Sequence, residues 1–425
     1  MAEKIIIKGA RIVDPRSSLN GQTVDFLFDN NHIAFCSADQ DTKGYTVIEA
    51  DNLHVSPGWF DMGPEFSDPG LEHKEDLDTG MDAALHGGFT SVAVGPNTIP
   101  VVDSKTGVDY LINFQDQHWL ELFPLASFSK GLKGEELAEL YDLYESGAAG
   151  FSHSDVPLSN AALLKLALQY NRPLGVPIQV PAYEAQLSST GQMHEGDVST
   201  LIGLKGIPDI SETLAIDRDI QLADYAETMI HFNSLSSAAG VSKIRAAKAN
   251  DSNVSADVSI ANLYFTDEDL QTYDTRLKTM PPIRSKTDQE ALIKGLADGI
   301  ISFVRSQHRP HEIELKKCEF DYAEPGAVGL EATFGALNYA THKQLSLERR
   351  IELLAYGPRE LLGLEIPHIE EGNEAILTFF DPDVEWTFEA DHIRSKSKNC
   401  PYVNKPLKGK ALGVFCNGTL AWNED

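Results

Sequence analysis

The middle of the chain alternates between two patterns, and that alternation limits the fold more than any other feature of the sequence. Apolar runs that read as buried parallel strands occupy residues 54–61, 90–94, 122–127, 147–152, 177–180, 229–235, 254–259 and 299–306. Helical patterns separate most of them, at residues 74–86, 135–144, 161–170, 216–225, 239–250 and 288–297. A parallel strand reaches its neighbour only through a long crossover, usually a helix. Eight such strands over roughly 250 residues have the size and rhythm of a (β/α)8 barrel. A doubly wound open sheet is the second reading. No G-x-G-x-x-G follows a strand, so a dinucleotide site has no support.

The two ends of the chain have a different character. Residues 4–8 and 11–13 flank Gly9, and residues 24–28 and 32–36 flank the turn residues Asp29, Asn30 and Asn31. Residues 46–49 form another short apolar run. Near the other end, residues 375–380 stop at Asp381-Pro382, and residues 411–416 and 419–422 flank Asn417-Gly418, a hairpin signal. The expectation is an α/β protein with a barrel over residues 56–365. A small β-sandwich domain, residues 1–55 plus 366–425, is expected from both termini.

Charge and cysteine usage narrow the function. Asp plus Glu number 64 against 35 Lys plus Arg, a net charge of −29. Such a surface repels phosphate backbones and anionic membranes, which argues against nucleic acid or membrane as partner. The start, MAEKIIIKGARIVD, lacks an apolar core of signal-peptide length, and no run approaches the ~18 apolar residues of a membrane span. Cys36, Cys318, Cys400 and Cys416 form no C-x-x-C pair. Reduced thiols and a cytoplasmic location are expected. Residues 72–76, EHKED, read as a solvated helix start, and the acidic stretch 135–145 as a solvated helix face.

A (β/α)8 barrel carries its chemistry at the C-terminal ends of its strands. Those ends read DMGPE at residues 61–65, SHSD at 152–155, VPAY at 180–183, NSLS at 233–236 and SQHRPH at 306–311. With PGWFDMGPEFSDPGLEHKEDLDTGMDAALHGGFTSVAVGPNTIPVVDS around the first of them, the chain resembles a dihydroorotase of the amidohydrolase superfamily. The segments MHEGDVSTLIGLKGIP, YDTRLKTMPPIR, EALIKGLADGII, FDYAEPGAVGLEATF and SKSKNCPYVNKPLKGKALGVFCNGTL extend the resemblance nearly end to end. It implies a barrel of the amidohydrolase type and a place in pyrimidine biosynthesis.

The resemblance also shows what is missing. The family's strand-one pair of histidines aligns with Gly63 and Glu65, and the arginine after them with Ser67. Its strand-four Asp ligand falls at His153 or Ser154, its strand-five His at Pro181 and its strand-six His at Ser234. Its strand-eight Asp, ligand and general base, falls at Gln307. A catalytic zinc takes about three donors from imidazole, carboxylate or thiolate. Gly63 and Pro181 offer none, and Ser234 and Gln307 are neutral. Without a metal, nothing lowers the pKa of an attacking water toward ~7, and Gln307 cannot accept its proton.

Three positions that hold the substrate carboxylate in the family persist, as Asn97, Arg284 and His311. The family asparagine before Arg284 is Met280 here. Their plainer reading is a turn, an ion pair and a packed rim histidine. The residues left for a relocated metal site are Glu65, His153 and His308. The expected function is therefore a dihydroorotase-like protein without catalysis or cofactor. It would be a homo-oligomer serving aspartate transcarbamoylase as structural or regulatory partner. Two alternatives stay open: a zinc-dependent dihydroorotase or other cyclic-amide hydrolase with a rebuilt site, and a binding protein for a pyrimidine intermediate.

Overall fold

A computed structural model describes residues 5–29, 31–36 and 43–423. Its centre is a ring of eight parallel strands that neighbour one another in chain order: β1 (Trp59–Met62), β2 (Phe89–Val94), β3 (Glu121–Ser127), β4 (Gly150–Ser152), β5 (Ile178–Pro181), β6 (Ile230–Asn233), β7 (Val254–Ser259) and β8 (Phe303–Arg305). The eight short apolar runs are thus strands of a (β/α)8 barrel, and the open-sheet reading is set aside. Strand β8 meets β1 through a side chain. The Ser306 N–H donates to Asp61 Oδ1 at 2.7 Å, and the Ser306 hydroxyl donates to the other oxygen.

Outer helices follow the strands: α1 (Leu77–His86), α2 (Lys105–Gln115), α3 (Leu140–Glu145), α4 (Ala161–Asn171), α5 (Ile210–Ala226), α6 (Ala238–Ala249) and α7 (Lys286–Ala297). Their starts follow local chemistry. Asp76 accepts the Thr79 N–H at 2.9 Å and caps α1, and Ser285 closes a capping box with Asp288 on α7. Leu164, Leu168, Ile216, Ile244, Leu292 and Leu296 face inward and are buried, so each helix packs an apolar stripe onto the strands.

Several expectations change in detail. The acidic stretch 135–145 is not one helix, since Leu137 bridges to Ser129 in extended pairing and α3 begins only at Leu140. Helix α2 was not anticipated, although Val108 and Leu111 repeat at helical spacing behind Ser104. Residues 5–12 form a single strand, Ile5–Ile12, whose register shifts around Gly9 at φ +67°, a bulge that only glycine adopts cheaply. Asp381-Pro382 does not end its strand. Leu377–Phe388 continues through a second register shift that absorbs the proline.

The terminal strands make a second sheet over a separate apolar core that includes Ile7, Phe26, Val55, Phe379 and Phe415. Its order is Thr419–Trp422, Lys405–Cys416, Leu377–Phe388, His54–Pro57, Ile5–Ile12, Thr23–Asp29 and His32–Cys36, with Thr46–Ile48 also paired to Ile5–Ile12. The hairpin expected at Asn417-Gly418 is present, with φ +47° and +73° at its two turn residues. The other hairpin pairs Thr23–Asp29 with His32–Cys36; its turn residue Asn30 lies outside the described residues. The run 54–61 is divided at Gly58. His54–Pro57 belongs to the terminal sheet and Trp59–Met62 to the barrel.

Candidate functional site

The barrel mouth is filled from strand β8. Gly63 follows β1 at φ +75°, and a Cβ built there would lie 2.9 Å from Nη1 of Arg305. The Arg305 guanidinium pairs with Asp257 of β7 and donates to Asn233 Oδ1 of β6 at 3.2 Å. Asp257 also accepts the Ser234 N–H at 2.8 Å and His231 Nε2–H at 2.8 Å. With Nε2 protonated, His231 Nδ1 accepts the Ser255 hydroxyl at 2.7 Å, and the ring stacks on Phe303. Burial pushes the His231 pKa below its usual range, so the ring is neutral. Burial alone would raise the Asp257 carboxyl, but the charge of Arg305 and the His231 bond outweigh it and hold it below its usual range.

Arg309 makes a second layer. Its guanidinium lies 2.8 Å from Glu65 and 3.2 Å from Asp155. Burial opposes its charge, yet these two carboxylates raise its pKa further. The Tyr183 hydroxyl donates to the Asp155 carbonyl. Gln307, at φ +51°, donates its amide to the Met280 carbonyl at 2.6 Å, and its Oε1 has no protein partner. Ser234, at φ +53°, likewise has an unpartnered hydroxyl. Pro181 closes β5 and is buried. The space left between Gly63, Glu65, Ser154, Asn233, Arg305 and Arg309 is about 10 Å3, enough for about one water.

The three residues considered for a relocated metal have separate commitments. The Glu65 carboxylate faces Arg309. His153 is fully buried, with Nδ1 donating to the Val156 carbonyl at 2.6 Å and Nε2 accepting from Ser129 Oγ at 2.9 Å. His308 is fully buried and faces Glu75 at 3.3 Å. Among the described residues, no group of three or more His, Cys, Asp or Glu is arranged to hold a metal ion. The donor set at the strand ends does not fit zinc, which needs about three converging donors, and the carboxylates there, Glu65 and Asp155, are engaged by Arg309.

Asn97, Arg284 and His311 also have separate settings. Asn97 Oδ1 lies beside Gly95. Arg284 is buried, donates to Ser236 Oγ at 2.7 Å and to the Ile207 carbonyl at 3.2 Å, and lies near the buried Glu212. His311 donates through Nε2 to the Pro325 carbonyl at 3.0 Å. No hydrogen bond joins any two of the three.

The EHKED segment requires a correction, because Glu75 is not solvated. It is fully buried and accepts hydrogen bonds from the hydroxyls of Thr79 and Ser395, from the Lys396 N–H at 2.9 Å and from His308. Burial raises its carboxyl, and these bonds more than offset that.

Sequence reasoning passed over Arg305, Asp257 and Arg309. The signal was present. Arg305 interrupts the apolar run ISFV and Asp257 interrupts VSADVS. Opposite charges inside two adjacent buried strands have to pair.

Comparison with known proteins bears on the whole chain. A family model described as Dihydro-orotase-like matches residues 54–280. A dihydroorotase of Geobacter sp. (strain M21) is 36% identical, covering 98% of this chain and 99% of its own. One of Acetivibrio thermocellus is 35% identical, covering 99% of each. Among solved structures, the L-hydantoinase (dihydropyrimidinase) of Arthrobacter aurescens superposes with a TM-score of 0.82 at 23% identity, over 100% of this chain and 96% of its own. A D-hydantoinase superposes with a TM-score of 0.83 at 20% identity, over 99% and 95%. These two are likenesses of fold.

Proposed function

The chain belongs to the dihydroorotase-like family of amidohydrolases, whose setting is pyrimidine metabolism, and we propose that within that family it is a non-catalytic member. In this reading it serves as a structural or regulatory partner of aspartate transcarbamoylase. The observation that carries the loss of catalysis is the filling of the mouth by Arg305 and Arg309. Small-molecule sites offer ~300–1,000 Å3, whereas the volume here is about 10 Å3. The carboxylates at the mouth, Asp257, Glu65 and Asp155, are already engaged by these guanidiniums, and Gln307 offers no basic atom for a water proton.

The partner role is supported by the retention of family segments remote from the mouth and by the surface. Leu166 and Tyr170 on α4 are exposed, as are Ile210, Leu214 and Tyr225 on the adjacent α5. Tyrosine is a residue type enriched at protein interfaces.

The test is metal analysis and an assay in both directions on the purified full chain. The expected outcome is no stoichiometric zinc and no interconversion of carbamoyl aspartate and dihydroorotate. Near-unit zinc with turnover abolished by a chelator would return the chain to the hydrolases.

A further inference from the structure

A cavity of about 480 Å3 opens beside the barrel rim, between residues 274–276, residues 311–317 and the C-terminal segment 396–399. It shares no lining residue with the filled mouth, so binding there does not depend on whether that mouth is catalytic.

Its charge runs against the rest of the molecule. In a chain of net charge −29, the lining contains Arg276, Lys316, Lys317, Lys396 and Lys398 against Asp274, Glu312 and Glu314. Among the described residues, two of these cations are closed on a carboxylate, and the others are not. Arg276 is closed on Asp274, 2.6 Å from Nη2 to Oδ2, and Lys396 lies 3.0 Å from Asp76. Lys316, however, is buried and donates to the carbonyls of Glu324 at 2.7 Å and Gly326 at 2.9 Å. Lys398 donates to the carbonyls of Ile393 at 2.9 Å and Ser395 at 2.7 Å. Behind them Lys278 donates to the carbonyls of Phe320 at 2.8 Å and Asp321 at 3.1 Å. Carbonyls orient an ammonium without neutralising it. Burial, with nearby cations adding to it, shifts two neighbouring groups. Burial and the charge of Lys278 push Lys316 down to about 7. Burial and the charges of Arg309, Lys74 and Lys316 push His311 down to about 3.

We propose that this cavity binds a phosphorylated small molecule through Lys316, Lys317 and Lys398. The size suits a compact ligand. The chemistry favours phosphate over carboxylate. A planar carboxylate is matched best by an open guanidinium fork, and the fork here is occupied by Asp274. Ammonium groups act as point charges and suit the rounder, more highly charged phosphate.

Isothermal titration calorimetry on the full chain, at constant ionic strength, tests this with pyrophosphate as probe and citrate as a carboxylate of comparable charge. Saturable one-to-one binding of pyrophosphate is expected, about tenfold tighter than citrate, and Lys317→Gln with Lys398→Gln should weaken it about tenfold. Lys343→Gln, at an exposed lysine outside the cavity, should leave it unchanged. If the loss of Lys398 unsettles its turn, Lys317→Gln alone carries the test, since Lys317 is exposed and its loss should still weaken binding about threefold. Absence of saturable binding, equal binding of citrate, or equal weakening by Lys343→Gln would each overturn the assignment.

Discussion

Arg305 is the side chain that most constrains the barrel mouth. A buried guanidinium persists only where a carboxylate meets it, and Asp257 and Asn233 meet it from two neighbouring strands. Placing a histidine at Gly63 would therefore collide with an established structure. Gly63→His places a side chain at φ +75°, within 2.9 Å of Nη1. The backbone strain and the displaced guanidinium should together lower stability in urea unfolding by about 2 kcal/mol, with no hydrolysis gained. A variant as stable as the parent would mean that Arg305 swings aside freely.

Asp61 supplies a second prediction at this scale. Burial, only partly offset by the Ser306 bonds, lifts its carboxyl from 3.8 to about 6. Between those values the folded chain holds a proton that the unfolded chain has released. Stability attributable to Asp61 is then fully present below pH 3.8 and lost as pH rises through about 6. The loss is at most ~3 kcal/mol. Asp61→Asn should flatten that slope relative to the parent when urea midpoints are compared at pH 4, 5 and 6; parallel curves would mean that Asp61 is already ionised at pH 4. The residue types at Gly63, Pro181, Ser234 and Gln307 are legible in the sequence, because the presence or absence of a donor is visible in one letter. The pairing of Arg305 with Asp257 left only a charge in each of two apolar runs, and its geometry depends on two strands 48 positions apart.

Elements were more legible than their limits. Strand β7 lies where its residues predicted, and α4 and α6 shift by a residue or less. These runs owe their state to burial, which leaves an apolar signature in the sequence. Boundaries that depend on distant partners were hidden. Glu75 looked like part of a solvated helix start because its partners Ser395 and Lys396 lie more than 300 residues away. The split of the first strand at Gly58 was hidden for the same reason. Gly58 donates its N–H to the Ile376 carbonyl at 2.8 Å, and a Cβ there would lie 2.2 Å from Thr90 Oγ1 and 2.9 Å from Ile376 Cγ2. Gly58→Ala should lower stability by about 2 kcal/mol through overpacking where the two sheets meet. Thermal unfolding that leaves the midpoint unchanged would show that Thr90 and Ile376 yield without cost.

At the scale of the molecule, the acidic surface and the exposed tyrosines pull in opposite directions. Net charge opposes contact with another acidic surface, while exposed apolar side chains favour a partner face that is neutral or basic. Mixing with the cognate aspartate transcarbamoylase should therefore give a larger particle in sedimentation. Association should persist in moderate salt, because an apolar interface is not screened as a charged one is. A strict monomer that neither shifts nor stabilises that enzyme would end the partner reading. The order of strands in the terminal sheet has a consequence during synthesis. His54–Pro57 pairs on one side with Ile5–Ile12 and on the other with Leu377–Phe388. On the ribosome the first partner is at hand, but the second comes only after the whole barrel has been translated, roughly half a minute later at ordinary elongation rates. For that interval the nascent chain presents an unpaired strand edge, the kind of surface on which neighbouring polypeptides aggregate and for which chaperones compete.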